Sequence, residues 1–185
     1  MCSIIDTARE GNWPLDLALV LADRPDAGGL ELAVERGVTT RTVHFRDYRG
    51  SRAEFDQRLL EVLRSMDIDW IVLAGFMRIL GAEFVAAFPD HILNIHPSLL
   101  PKYPGLDTHQ RALDAGDEFH GCTVHLVTAE MDSGRVLGQA QVEVLSGDTH
   151  DSLRARVLEQ EHILYPAMVK KTICGDVEGN ELAQL

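Results

Sequence analysis

Apolar and polar positions along this chain alternate between strand-length and helix-length patterns. Residues 4 to 9 read as a short helix, and Gly11-Asn12 stops it. Leu15 to Ala22 (LDLALVLA) is an apolar run of strand length, the pattern of a strand covered on both faces. Asp26 to Gly37 then reads as a helix and Thr42 to Phe45 as a short strand. From Ser51 a helix of about 15 residues carries Phe55, Leu59, Leu60 and Leu63 on one stripe. Asp69 to Ala74 is a second apolar strand, followed by Gly75, a helix through Phe88, and the strand His91 to His96 (HILNIH). Such alternation predicts βαβ units and a parallel, doubly wound α/β sheet.

The second half reads differently. Gly121 to Thr128 and Val136 to Leu145 alternate more clearly and predict strands near a sheet edge. Asp151 to about Thr172 is a closing helix with Leu153, Val157, Leu164 and Met168 at helical spacing. No repeat, low-complexity tract or linker interrupts the chain, so its 185 residues are expected to form one domain, 1–185.

Charge narrows the partners. The net charge is -12, with no Lys/Arg cluster against it. That argues against nucleic acid or an anionic membrane as the main partner. Small anionic ligands stay open, because local amides and one or two cations override the global field. With no signal peptide and no apolar run near the ~18 residues of a membrane helix, a soluble, cytoplasmic protein is expected. Cys2, Cys122 and Cys174 are widely spaced and read as reduced thiols, with neither a disulfide framework nor a metal site.

Candidate chemistry gathers where the HILNIH strand ends, since doubly wound sheets bind ligands outside the carboxyl ends of their strands. Asn94 and His96 stand two apart and share one side of an extended chain. Pro97 keeps His96 extended. An amide donor beside an imidazole suits oxyanion stabilisation and proton transfer in acyl chemistry. A capping Asn and a solvated His fit the spacing as well. Asp132, in TAEMDSG, is a turn former unless its loop approaches His96, where a carboxylate would favour the charged imidazole. His125, inside an apolar strand, reads as a hydrogen-bonded core histidine. Glu161 either faces inward, needing a partner such as sugar hydroxyls, or merely flanks the packed stripe of the last helix. The loop from Ser98 to Leu106 (SLLPKYPGL) is stiffened by Pro101 and Pro104 and suits a ligand wall.

The segments AGFMRIL (74–80), LNIHPSLLPKYPGL (93–106), GDEFHGCTVH (116–125), MDSG (131–134) and QEHILYP (160–166) resemble the phosphoribosylglycinamide formyltransferase family, in order and spacing, over most of residues 4 to 170. The resemblance implies a Rossmann-like, mostly parallel formyltransferase fold. It also implies formyl transfer from 10-formyltetrahydrofolate to the amino group of glycinamide ribonucleotide in purine biosynthesis, with no metal. By matching position, Asn94, His96 and Asp132 form the catalytic trio. Met77, Arg78, Ile79 and Leu80, the loop Thr128, Ala129, Glu130, Met131 and Asp132, with Asn94 and Arg52, form the folate site. Leu158, Glu159, Gln160 and Glu161 line the ribonucleotide site. The implied partners are these small molecules, with the protein a monomer or homodimer.

The family opens with a strand and a Gly-Ser-Gly-Ser-Asn type loop that holds the substrate phosphate, whereas this sequence opens on residues resembling the first helix. The expectation is therefore an amino-terminally truncated version of the fold, with a shorter carboxyl end as well. Three functional readings stand at this point. They are the ribonucleotide enzyme, a hydrolase or other amine formyltransferase using the same donor, and a silent remnant that binds folate.

Overall fold

The computed structural model describes residues 1–48 and 51–175. Its elements follow in the order α1 (Cys2–Glu10), β1 (Val20–Ala22), α2 (Gly28–Glu35), β2 (Thr40–Thr42), a single 3-10 turn (Phe45–Tyr48), α3 (Arg52–Arg64), β3 (Ile71–Leu73), α4 (Ala82–Ala87), β4 (Ile92–His96), α5 (Thr108–Ala115), β5 (Phe119–Leu126), β6 (Val136–Glu143) and α6 (His150–Cys174).

The helices start where local chemistry satisfies their first amides. Ser51 Oγ accepts the Glu54 N–H at 3.2 Å, which caps α3. Its predicted stripe of Phe55, Leu59, Leu60 and Leu63 is buried against Phe84, Leu80 and Ile92. Thr149 and Ser152 form a reciprocal capping box at the head of α6. On α6, Leu153 and Val157 are buried, while Tyr165 donates its hydroxyl to the Leu73 and Leu93 carbonyls at 2.7 and 3.1 Å. That phenol ties the closing helix to β3 and β4.

Strands β3, β4, β5 and β6 form one sheet in that order. β3 and β4 run parallel, and β5 and β6 continue antiparallel. β1 and β2 form a separate parallel pair. The α/β class expected from the sequence stands, with two parallel pairs and an antiparallel half.

Several boundaries differ from expectation. The strand predicted over Leu15 to Ala22 is only Val20–Ala22, and that over Asp69 to Ala74 only Ile71–Leu73; all six residues are half-buried rather than covered. The reason is pairing. β1 has β2 on one edge and β3 has β4 on one edge, while their facing edges bond to no strand among the described residues. A groove of about 1260 Å³ lies between them, lined by Leu19, Leu21, Val72 and Met1 among others. Where the strands end, Arg78 Nε forms an ion pair with Asp23 and its guanidinium lies 3.6 Å from the Phe45 ring centroid, bridging the groove. The strand expected at Thr42 to Phe45 is instead Thr40–Thr42 followed by the 3-10 turn. The helix expected from Gly75 begins only at Ala82. β5, expected near an edge, is interior between β4 and β6 and buried from His120 onward.

Candidate active site

Asn94 and His96 lie on β4, and β5 runs antiparallel beside it. The register places His125 opposite Asn94 and Thr123 opposite His96. Side chains at positions two apart share a face, and directly opposed residues share it too. Four polar side chains therefore share one face at the carboxyl end of β4. β5 carries a register irregularity at Val124/His125 against β6, a local distortion beside the site.

Asp132 reaches the same place from the loop after β5. The loop is closed by Gly134: a Cβ there would lie 1.7 Å from the Leu126 carbonyl oxygen, so only glycine lets the chain return. The Thr128 hydroxyl donates to the Glu130 carbonyl, and Ser133 Oγ lies within hydrogen-bond reach at 3.0 Å. Asp132 itself adopts φ +51, a conformation that Asp tolerates better than most residues. Its carboxylate accepts the Gly105 N–H at 2.8 Å and lies 3.5 Å from His96 Nδ1 and 3.7 Å from His125 Nε2. The Asp132 loop and the HILNIH strand end thus meet, which the sequence left open.

The proline-rich loop positions the imidazole. His96 is 5% exposed, and its Nε2 donates to the Tyr103 carbonyl at 2.8 Å. A carbonyl only accepts, so the Nε2 proton is fixed and Nδ1 faces the carboxylate. Ser98 Oγ donates to the Lys102 carbonyl, Thr123 Oγ1 donates to the Ser98 carbonyl, and Leu100 N–H donates to Thr123 Oγ1. Gln139 from β6 donates to the Leu100 carbonyl as well. These bonds, two of them fully buried, brace residues 98–105 beneath His96 and Asp132.

The folate candidates divide. Met77 and Ile79 are exposed at 80% and 53%, free to meet a ligand. Arg78 is held by Asp23 and Phe45. Leu80 buries its side chain in the α3 core, so only its backbone is available to a ligand. Arg52 brings its guanidinium beside Gly81, next to that segment. Thr128, Ala129, Glu130 and Met131 are exposed, and Met131 lies beside Gly105. The groove between β1 and β3 includes Met77 and Arg78, but neither Asn94, His96 nor Asp132 lines it.

On α6, Leu158 and Glu159 are exposed while Gln160 and Glu161 are half-buried. Burial raises the pKa of Glu161, with Arg154 and the amino terminus pulling it back. Its influence extends to Cys122 on β5, whose thiol burial pushes up to about 12. Half-burial leans toward the inward reading of Glu161, although no hydrogen bond or ion pair among the described residues involves its carboxyl. The residue underweighted by sequence reasoning is His125. Its spacing from Asn94 carries no signal, because only cross-strand register pairs them.

The chain's likeness to known proteins agrees with this geometry. A family model described as "Formyl transferase" matches residues 1–169. Phosphoribosylglycinamide formyltransferase of Escherichia coli (strain K12) is 43% identical over 181 residues, covering 98% of this chain and 85% of the relative. The Haemophilus influenzae protein of that name is 42% identical over 91% of this chain and 79% of its own length. Among solved structures, phosphoribosylglycinamide formyltransferase from Brucella melitensis superposes with a TM-score of 0.88 at 45% identity, over 97% of this chain and 92% of that one. Glycinamide ribonucleotide transformylase 1 from Symbiobacterium toebii gives 0.87 at 45% identity, over 91% and 79%. Strand end, loop and relatives converge: the chain belongs to the phosphoribosylglycinamide formyltransferases of the formyl transferase family.

Proposed function

We propose that the chain transfers a formyl group from 10-formyltetrahydrofolate to the amino group of glycinamide ribonucleotide. The observation that carries this reading is the meeting of Asn94, His96 and Asp132 from two separate segments at one strand end, in a chain whose relatives bear that name. The neutral amine attacks the formyl carbon, a C–N bond forms, and the carbonyl π pair moves to oxygen. The Asn94 N–H not bonded to His125, and a proton on His96 Nδ1, would donate to that oxygen. The Tyr103 carbonyl holds the ring through Nε2, and Nδ1 lies 3.5 Å from Asp132. One such donor is worth ~3 kcal/mol of barrier. Collapse re-forms the carbonyl and expels the folate nitrogen, which takes up a proton as the attacking amine loses one. Asp132 would balance the charge of a doubly protonated His96 in the transition state and relay that proton through water.

Met77, Arg78, Ile79, the Leu80 backbone, Arg52 and residues 128–132 would hold the folate, and Leu158 to Glu161 the ribonucleotide. Both are small molecules, consistent with a cytoplasmic monomer or homodimer; no described helix is long and apolar enough to cross a membrane. Incubation with both substrates, following the released folate, tests the reading. Release that requires glycinamide ribonucleotide is expected. Release without it would establish a hydrolase, and folate binding without turnover a silent remnant.

A further inference from the structure

We propose that His125 is a positioning residue for Asn94, holding the catalytic amide with its nitrogen turned toward β5 and one N–H free for the reacting oxygen. The inference rests on the formyl-transfer reading for its consequence, but its geometry stands apart. His125 is 2% exposed and lies opposite Asn94 in the β4–β5 register. Its Nδ1 lies 2.9 Å from the Leu126 carbonyl, which can only accept, so Nδ1 carries a proton. In the neutral ring Nε2 is then a bare lone pair. The Asn94 amide nitrogen sits 3.2 Å away and donates to it.

That bond decides which way Asn94 points. Rotating the amide half a turn would set its oxygen against the Nε2 lone pair, two acceptors facing each other in a buried site. One amide proton is therefore committed to His125, and the second is directed away from it. The neutral form is required. A protonated His125 would turn an Nε2–H toward Asp132, 3.7 Å away, and cease to accept from Asn94. Burial chiefly favours the neutral ring, with the Leu126 carbonyl and Asp132 opposing and the neighbouring His96 assisting.

The test has two independent readouts. Long-range proton–nitrogen NMR of the imidazoles in the whole chain should find His125 as the Nδ1–H tautomer at neutral pH. One Asn94 side-chain amide proton should exchange slowly in wild type and in His125→Gln, and quickly in His125→Leu. A His125 Nε2–H tautomer, or unprotected Asn94 protons in wild type, overturns the proposal. In the kinetic arm, His125→Leu should lower kcat roughly 100-fold while both KM values stay close to wild type. His125→Gln, whose amide oxygen accepts near the position of Nε2, should recover most of that loss. Undiminished kcat in the Leu variant, or a folded Gln variant no better than Leu, also overturns it. If wild type itself gives no transfer, the proposed function fails, and the NMR arm still decides the hydrogen bond.

Discussion

In the proposed reaction Asn94, His96 and Asp132 matter because a strand end and a turn bring three different polar groups together. His96→Ala and Asn94→Ala should each cut turnover by ~100-fold or more, by analogy with the loss of a single oxyanion donor, and circular dichroism should report an intact fold. Near-normal turnover in both would sink the mechanism. Asp132→Asn separates charge from shape. The amide oxygen can still accept the Gly105 N–H, which the carboxylate now holds at 2.8 Å, but the charge beside His96 is gone. Turnover should fall at least tenfold with little change in melting temperature. A matching fall in stability would reduce Asp132 to an anchor for the loop.

At the scale of elements, a phenol ties α6 to β3 and β4, and Arg156 ties it to β6 by donating to the Glu143 carbonyl at 2.8 Å. Tyr165 is 4% exposed and donates to the Leu73 and Leu93 carbonyls. Tyr165→Phe should lower stability by ~1–2 kcal/mol in chemical denaturation. No change would mean that apolar packing and the Arg156 bond to Glu143 seat the helix without it. α5 supplies a pH dependence. His109 is 7% exposed, with its Nδ1 3.1 Å from His120 Nε2 and its ring edge-on to His150. Burial first, then neighbouring positive charge, lowers its pKa from 6.5 to about 4. The folded state holds His109 neutral where the unfolded chain binds a proton, so stability rises with pH across that window. Its contribution is complete above pH 6.5 and fades as pH falls toward about 4. At ~1.4 kcal/mol per pKa unit the upper limit is ~3 kcal/mol. Denaturant unfolding between those values should show the slope, and His109→Gln should flatten it; an unchanged slope would assign it to other groups.

Across the whole molecule the dominant feature is the divided sheet. The facing edges of β1 and β3 bond to no strand among the described residues, and a groove of about 1260 Å³ separates them. Buried backbone groups without partners cost ~1–3 kcal/mol each, against a whole-domain stability of ~5–15 kcal/mol. A strand laid parallel in the groove would bond to both edges, and Met1 already lines its wall. Fusing an apolar strand and a Gly-Ser-Gly-Ser-Asn turn ahead of Met1 should therefore raise the melting temperature by several degrees, at about 2–4 °C per kcal/mol for a domain of this size. It should also increase formyl transfer. If neither rises, the groove is not a strand site.

The α3 stripe of Phe55, Leu59, Leu60 and Leu63 was legible in the sequence because helical periodicity and a serine cap act within a few residues of each other. So were β4 and its polar end, since the apolar run, the alternating side chains and Pro97 are all local signals. The motifs NIHPSLLPKYPG and MDSG carry the family resemblance in the sequence alone. Strand lengths were not legible. LDLALVLA has the composition of a covered strand, yet a strand extends only as far as a neighbour pairs with it, and β1 has a neighbour on one side. The approach of Asp132 to His96 depends on the return of a loop through Gly134, and the pairing of Asn94 with His125 on antiparallel register across 31 residues. Local pattern specifies which residues are helical, extended or polar; only tertiary pairing decides which edges are satisfied and which polar groups share a face, because those bonds join residues distant in the chain.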